Sequence, residues 1–469
     1  MHFDLIVIGS GPGGQKAALQ AAKAGKKVML VEEYDAVGGA CVHFGTLPSK
    51  SFRESVYRWA LRSSGTLGEA LETKRSTTFK KARQELPEMQ RLLRRKDRVI
   101  SQESQIIFDQ LKRNKIQLMH GHARFSGPKE IEVQTRKGKK KFSATYFVIA
   151  VGASPRAPDP LRVDAKRVLD SNTVLRLKKM PKSLIVLGAG IIGCEFASMF
   201  AIAGCKVTLI DKRKEILSNI DREIVESLLN WFGYAGMQIH LGCESEKVDT
   251  LKDRVRVRLS NGKVCEAEAL LIAQGRHGNT EDLGLSNAGL SPDERGLLSV
   301  DAYFRTSVPH IYAVGDVVGF PALASTSMEQ GRIAACHAFG VRSATLARMP
   351  EFYPYGIYTI PEISTIGESE EELKKRGADY VVGRAKYKEV ARGQIVGDRW
   401  GLLKMLVDRK TQKLLGVHII GDSAADLIHI GQAVMILGGD LEYFVESVFN
   451  YPTLAEAYKT AALDSVNKL

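Results

Sequence analysis

The chain has 469 residues, of which 44% are hydrophobic and 26% charged, with a formal net charge of +14. At roughly 100–200 residues per domain this describes a globular protein of about three domains, and it excludes a disordered chain. No apolar run approaches the ~18 residues that a membrane-spanning helix requires, so no membrane role is expected.

The N-terminus runs directly into an apolar strand, Phe3 to Ile8, and a glycine turn, which predicts no secretory leader. The turn is Gly9-Ser10-Gly11-Pro12-Gly13-Gly14, followed by a helical pattern from Gln15 to Ala24 and a second strand from Lys27 to Val31 that ends in Glu32 and Glu33. The stretch Gly38-Gly39-Ala40-Cys41-Val42-His43-Phe44-Gly45-Thr46-Leu47-Pro48-Ser49-Lys50 comes next. Two long helices are predicted over Ser49–Ser64 and from about Leu86 to Leu111, the latter from apolar residues at helical spacing. Strands are expected at Ile116–Arg124, Ile131–Thr135 and Tyr146–Ala150, the last leading into a turn at Gly152. Basic residues crowd positions 62–98 and the stretch Arg136 to Lys141, the latter placed as a hairpin tip. Neither has the interleaved aromatics or module of a nucleic-acid binder. They read as solvated faces that also attract anionic dinucleotides.

After a linker at Pro155–Pro160 the opening pattern returns. The strand Ser183–Leu187 precedes Gly188-Ala189-Gly190-Ile191-Ile192-Gly193, a helix follows from Cys194 to Ala203, and the strand Lys206–Ile210 ends in Asp211. In both copies the acid lies 23 positions after the first glycine. In this βαβ fingerprint the first glycine permits a tight turn, the second lets backbone amides approach a pyrophosphate, the third allows close helix packing, and the acid bonds a ribose. Two Rossmann-like dinucleotide-binding domains in an α/β fold are therefore expected. The second closes at Leu270–Arg276, passing Gly275, and Ile311–Asp316 returns to the first. From about Pro350, strands (Gly356–Ile360, Leu402–Val407, Leu415–Ile420) and helices (Ser423–Leu437, Thr453–Asn467) predict a separate α+β domain. The division expected is 1–155, 156–282, 283–347 (a return to the first domain) and 348–469. The six cysteines, at 41, 194, 205, 243, 265 and 336, form no CxxC pair. That predicts no disulfide framework, no metal site and a reducing compartment, the cytoplasm.

On the two fingerprints, the Gly38–Lys50 stretch, the Gly152 turn, the Ala313–Asp316 turn and Tyr451-Pro452-Thr453-Leu454-Ala455-Glu456, the chain resembles the pyridine nucleotide–disulfide oxidoreductase family over essentially its full length. The resemblance implies FAD in the first cradle (Gly9, Gly11, Gly14, Glu32, Glu33, with Gly39, Cys41, Thr46 and Gly152 nearby) and NAD(H) or NADP(H) in the second (Gly188, Gly190, Gly193, Asp211, with Gly275 at its end). It also implies Asp316 on the ribityl chain and a helix beginning near Leu323-Ala324 whose N-terminus favours negative charge on the flavin ring. A charge-stabilising pair of Lys50 and Glu195 and a C-terminal dimerisation domain that forms a homodimer are implied as well, with Tyr451 and Glu456 completing the site across the interface.

This sequence departs from the family where disulfide chemistry resides. Its motif pairs two cysteines; here Cys41 holds the first place and Thr46 the second, and Tyr451 stands where the family's acid–base histidine would be. A hydroxyl cannot carry two electrons, and a phenol with pKa near ~10 is a poor base at neutral pH. Cys41 then reads as a packed cysteine, with no nucleophilic pair to His43. What survives is hydride transfer from one nicotinamide to another through the flavin, a ping-pong transhydrogenation. Asp211 favours NAD, while Lys212, Arg213 and Lys214 are either a solvated loop or a receiver for the 2′-phosphate of NADP. Two other readings stay open: a flavin diaphorase or NADH oxidase of the lipoamide dehydrogenase type, and a non-catalytic nucleotide-bound scaffold.

Overall fold

The computed structural model describes residues 1–66, 87–341 and 349–469. These fall into two compact units. The first comprises Met1–Ser51, Arg94–Arg156 and Gly275–Pro350, the second Phe52–Leu93, Ala157–Gln274 and Glu351–Leu469. The basic segment 62–98 and the expected helix start at Leu86 lie partly in 67–86, outside the described residues.

In the first unit the strand His2–Ile8 pairs in parallel with Val28–Glu32 on one side and Gly138–Ile149 on the other. Gln117–His120 and Ile311–Ala313 extend the parallel part. Val28–Glu32 is buried throughout, as its unbroken apolar run requires of a strand covered on both faces. Helix Pro12–Lys23 buries Ala17, Ala18 and Ala21 on this sheet. Helix Ala324–Phe339 meets it backbone to backbone: a Cβ on Gly331 would stand 2.1 Å from the Gly13 carbonyl oxygen.

Three details differ from expectation. The strand expected over Ile116–Arg124 is two, Gln117–His120 and His122–Gly127, because Gly121 breaks it at φ +155°. The basic hairpin turns at Arg136-Lys137 alone, and Lys139, Lys140 and Lys141 belong to the strand Gly138–Ile149. Arg136 and Lys139 pair with Asp35 and Glu132, which neutralises part of that face. The helices begin earlier than apolar spacing indicates, at Pro12 and Thr46, since their first turns carry glycine, proline or polar residues.

The second unit holds a parallel sheet in the order Gln238–Leu241, Lys206–Asp211, Ser183–Leu187, Ala269–Ile272, Val168–Leu169. Helix Ile191–Ile202 is buried along most of its length against it. Beside it lie a helix, Arg222–Tyr234, and an antiparallel sheet of Ser245–Thr250, Val255–Leu259 and Val264–Ala267, none of them expected from the sequence. The C-terminal part is a five-stranded antiparallel sheet in the order Tyr355–Ile357, Glu362–Gly367, Leu414–Gly421, Leu402–Asp408, Tyr380–Lys386. Its expected first strand over Gly356–Ile360 stops at Ile357, ahead of Pro361, and the next begins at Glu362. Helices Ala424–Ile436 and Glu456–Val466 complete the α+β arrangement.

Within the second unit a buried ionic network ties the nucleotide-fold part to this sheet. Lys404 and Asp221 are 1% and 0% exposed, and the lysine Nζ lies 2.9 Å from both Asp221 oxygens and 2.6 Å from Glu370 Oε2. Arg384 grips Glu223 with two hydrogen bonds of 2.7 and 2.9 Å. Every charge here has partners, as buried ions require.

Candidate functional site

Each unit carries the same strand–turn–helix cradle. The first strand ends in a glycine of positive φ, Gly9 at +101° and Gly188 at +105°. A Cβ on either would lie 2.4 Å from a carbonyl oxygen, of Ala150 or Ala273, so only glycine passes here. The third glycines are as tightly held: a Cβ on Gly14 would stand 2.0 Å from the Gly9 oxygen, and one on Gly193 1.8 Å from that of Gly188. The middle glycines face open space. Gly11 has no non-neighbouring atom within 4 Å of its Cβ position, and Gly190 has Arg213 Nη2 at 3.9 Å. Both precede helices whose first turns no side chain caps. Free N–H groups at the positive end of a helix, beside open space, form an anion cradle. The residues of both units fit a dinucleotide.

The two acids are held alike. Glu32 is 4% exposed and accepts from the Ser10 amide at 2.9 Å and the Tyr34 amide at 3.0 Å. Asp211, also 4% exposed, accepts from the Ala189 amide at 2.6 Å and the Arg213 amide at 2.8 Å. In each copy the donors are the residue between the first two glycines and the residue two after the acid. The copies differ in their side-chain donors: the Ser10 hydroxyl adds a third bond to Glu32, on Oε2 at 2.5 Å, whereas the Arg213 guanidinium grips Asp211, Nε to Oδ1 at 3.0 Å and Nη2 to Oδ2 at 2.8 Å. Burial pushes the Asp211 carboxyl up, but the Arg213 side chain and the two amides outweigh it and hold it below the ordinary carboxylate range. Lys212 and Glu33 point to solvent, Glu33 within 3.4 Å of His122.

The Gly38–Lys50 stretch leans on the first cradle. A Cβ on Gly39 would meet the Gly11 Cα at 2.7 Å, and the Gly38 amide donates to Ser10 Oγ at 2.8 Å. Cys41 sits in the short helix Gly39–His43, and Thr46 and Lys50 lie one turn apart at the start of helix Thr46–Ser64. The Thr46 side chain lies close to the Cys41 thiol. Burial pushes the Cys41 thiol above its ordinary value, and the Thr46 contact and the Lys50 charge offset only part of that. His43 is engaged elsewhere, its Nε2 3.0 Å from the Val37 carbonyl.

Gly152, at φ +68°, turns the chain above this cradle, where Asn279 holds it through its amide to the Gly152 oxygen at 3.0 Å and its side chain to the Val151 oxygen at 2.9 Å. Gly275 at φ +126° leads into the ribbon Arg276–Gly278, paired with Ala153–Pro155. Arg276 Nη2 bonds the Ala153 carbonyl and lies 3.6 Å from Asp316 Oδ2, while its buried Nε has no hydrogen-bond partner among the described residues. Gly315, preceding Asp316, donates its amide to Gln330 Oε1 at 2.7 Å. Leu323 is the N-cap of helix Ala324–Phe339, again without a side-chain cap. Ser10, Asn279, Arg276 and Gln330 were not singled out from the sequence. Arg276 directly follows Gly275 and Ser10 occupies the variable place in the fingerprint, so only those two had a signal nearby.

In the second unit Glu195 is 4% exposed, and its Oε1 accepts from the Tyr358 amide at 2.9 Å. Tyr451 is 75% exposed, and Glu456 opens the last long helix with its Oε2 3.2 Å from the Thr453 amide. Among the described residues no His, Cys, Asp or Glu cluster could hold a metal ion, and no helix is long and apolar enough to cross a membrane.

Comparison with known proteins agrees with this geometry. Residues 3–331 match the pyridine nucleotide-disulphide oxidoreductase family, and residues 353–462 its dimerisation domain. The soluble pyridine nucleotide transhydrogenase of Mycobacterium tuberculosis is 47% identical over 471 aligned positions, covering 100% of this chain and 98% of the relative. The protein of the same name from Serratia proteamaculans is 43% identical, covering 100% and 99%. Among solved structures, LpdA from M. tuberculosis superposes with a TM-score of 0.87 at 26% identity, covering 98% and 99%. The HOCl-induced flavoprotein disulfide reductase RclA from Escherichia coli gives 0.84 at 27%, covering 98% and 99%.

Proposed function

The chain belongs to the pyridine nucleotide-disulphide oxidoreductase family, and on that premise we propose that it is an FAD-dependent soluble transhydrogenase passing a hydride between NADPH/NADP and NAD/NADH by a ping-pong mechanism. The observation that carries this reading is that the place of a redox dithiol holds one thiol, Cys41, and one hydroxyl, Thr46, in a stretch that leans on the first cradle, while the glycines of both cradles are intact. Full-length relatives named soluble pyridine nucleotide transhydrogenase support it.

FAD bound in the first cradle would supply the two-electron carrier between one nicotinamide and the next. The chain's own residues bind and orient. The amides of Gly11, Gly13 and Gly14 take the pyrophosphate, Pro12 having none, Glu32 the ribose, and Asp316 the ribityl chain. The uncapped start of helix Ala324–Phe339 places partial positive charge under the ring. A lysine near the ring, the role proposed for Lys50, would stabilise negative charge as it develops, and Glu195 is the acid proposed to balance it. The cradle of Gly188, Gly190 and Gly193 takes each nicotinamide dinucleotide in turn. With Tyr451 in the place of the family's histidine and Thr46 in that of the second cysteine, no thiol acid–base relay operates. The protein acts as a cytoplasmic homodimer through residues 353–462, with Tyr451 and Glu456 reaching the site of a second copy. The basic faces stay solvated and carry no nucleic acid.

Anaerobic reduction of the purified yellow protein with NADPH, followed by NAD, tests the reading. The expected result is bleaching, then reoxidation with one NADH formed per flavin and no thiolate-to-flavin charge-transfer band. Appreciable reduction of lipoamide or glutathione, or oxygen uptake without nicotinamide exchange, would overturn it.

A further inference from the structure

The second cradle contains one feature that the first lacks. Asp211 offers two oxygens and about four lone-pair sites. All four are engaged within the chain: Oδ2 by the Ala189 amide and Arg213 Nη2, Oδ1 by the Arg213 amide and Nε. The two backbone donors have counterparts at Glu32, where Ser10 and Tyr34 supply them. In place of the two guanidinium donors the first copy has a single hydroxyl, Ser10 Oγ on Glu32 Oε2, so Oε1 keeps a lone pair beside the Tyr34 amide. A ribose diol therefore finds Asp211 saturated, and it gains lone pairs only if the Arg213 side chain leaves.

That side chain is placed to leave. Arg213 is 49% exposed against 5% for Asp211, and its Nη2 is the atom nearest the space in front of Gly190. Its neighbours in the basic triplet are placed differently. Lys212 is exposed, and the Lys214 stem runs against Gly242, 3.5 Å from a Cβ position there. A planar guanidinium also matches a phosphate with two parallel hydrogen bonds, which a lysine ammonium cannot do.

We propose that Asp211 and Arg213 form an exchangeable pair, through which the second cradle accepts adenosine riboses with and without a 2′-phosphate. An unphosphorylated ribose displaces the guanidinium and takes its two places on Asp211. A 2′-phosphate draws the guanidinium onto itself and leaves Asp211 to the remaining hydroxyl. The bare carboxylate would repel that phosphate, so the arginine both receives the ligand and covers the repelling charge. The inference rests on the reading above that this cradle takes nicotinamide dinucleotides.

The test is calorimetric titration of the flavin-loaded protein with adenosine 2′,5′-bisphosphate and with adenosine 5′-diphosphate, alongside anaerobic flavin reduction by NADPH and NADH. Arg213→Ala should weaken the 2′-phosphorylated ligand by about ten- to a hundredfold, the range for lost charge-assisted hydrogen bonds, and leave the unphosphorylated one equal or tighter. Arg213→Lys should restore the first only in part. Asp211→Asn should do the reverse, weakening adenosine diphosphate and tightening the bisphosphate. A merely structural pair would move both ligands together, so parallel losses in Arg213→Ala, or no change for the bisphosphate, would overturn the exchange while leaving the transhydrogenase reading intact. If the unmodified protein binds neither fragment and neither nicotinamide bleaches its flavin, that reading falls and the exchange with it.

Discussion

Replacing Gly190 with alanine separates the ligand's requirement from the fold's. At φ −78° and ψ −172° the backbone is one that any residue adopts. The nearest atom to the added methyl is Arg213 Nη2 at 3.9 Å, an ordinary contact. The folded protein should lose nothing, and it should gain about 0.4–1 kcal/mol because the unfolded chain is less free. The cost falls on whatever approaches the first turn of helix Ile191–Ile202. A pyrophosphate held by that turn's amides must retreat from the methyl, and losing one charge-assisted hydrogen bond costs about 1.5–3 kcal/mol, or about ten- to a hundredfold in affinity.

The assay pairs thermal melting with titration of NADH and NADPH. Gly190→Ala should melt at or slightly above the parent temperature, keep its flavin, and bind both dinucleotides that much more weakly. Gly11→Ala should behave the same way in the first cradle, holding the fold but losing flavin on dilution. Gly193→Ala is the contrast, since its methyl would stand 1.8 Å from a backbone oxygen. It should destabilise by about 1–3 kcal/mol, as overpacking does. A Gly190→Ala protein with unchanged affinity, or one that melts well below the parent, would refute the placement of ligand in front of that glycine.

Three further outcomes follow from the second unit and from Cys41. Lys404→Met leaves Asp221, 0% exposed, without its cation; removing one partner of a buried pair costs about 3–5 kcal/mol, and denaturant titration should show a loss of that order rather than one under 1 kcal/mol. Burial works against the charged form of Glu370, yet Lys374, Lys404 and Tyr380 hold the carboxyl at about 2 against an ordinary 4.5. A depressed pKa contributes stability above the ordinary value that is lost as pH falls toward the folded one. Stability should therefore decline between about pH 4.5 and 2, more shallowly in Lys404→Met, and parallel acid titrations of the two proteins would contradict this. Cys41→Ser should keep nicotinamide exchange within about threefold, because the raised thiol pKa leaves little thiolate at neutral pH; loss of exchange with flavin retained would return Cys41 to the chemistry.

The cradles were legible because their constraints are local. A positive φ at Gly9, a clash at Gly14 and an acid 23 positions on from the first glycine are all set within one strand–turn–helix–strand. The antiparallel sheet at 245–267 was equally local, and Val255-Arg256-Val257-Arg258-Leu259 alternates buried and exposed as a half-covered strand must. No element was expected there, although the period-two alternation is present in the sequence. The Lys404–Asp221 pair had no local signature, since 183 positions separate its members and an isolated lysine in an apolar strand says nothing of its partner.

The two copies, aligned on their glycines, show where sequence reasoning stops short of chemistry. Both keep the cradle, both keep the acid, and both fix that acid with the same two backbone amides. The residue two positions after the acid differs: Tyr34 in one copy, Arg213 in the other. From sequence alone Arg213 belonged to a run of three basic residues, equally a solvated loop or a phosphate receiver. Geometry separates it from that run, because only its guanidinium occupies the lone pairs that a ribose would need. A cradle that keeps its ligand gains nothing from a competing cation on its acid. One that must release each nicotinamide and admit the next does gain, because the arginine keeps the buried carboxylate paired during every interval between ligands.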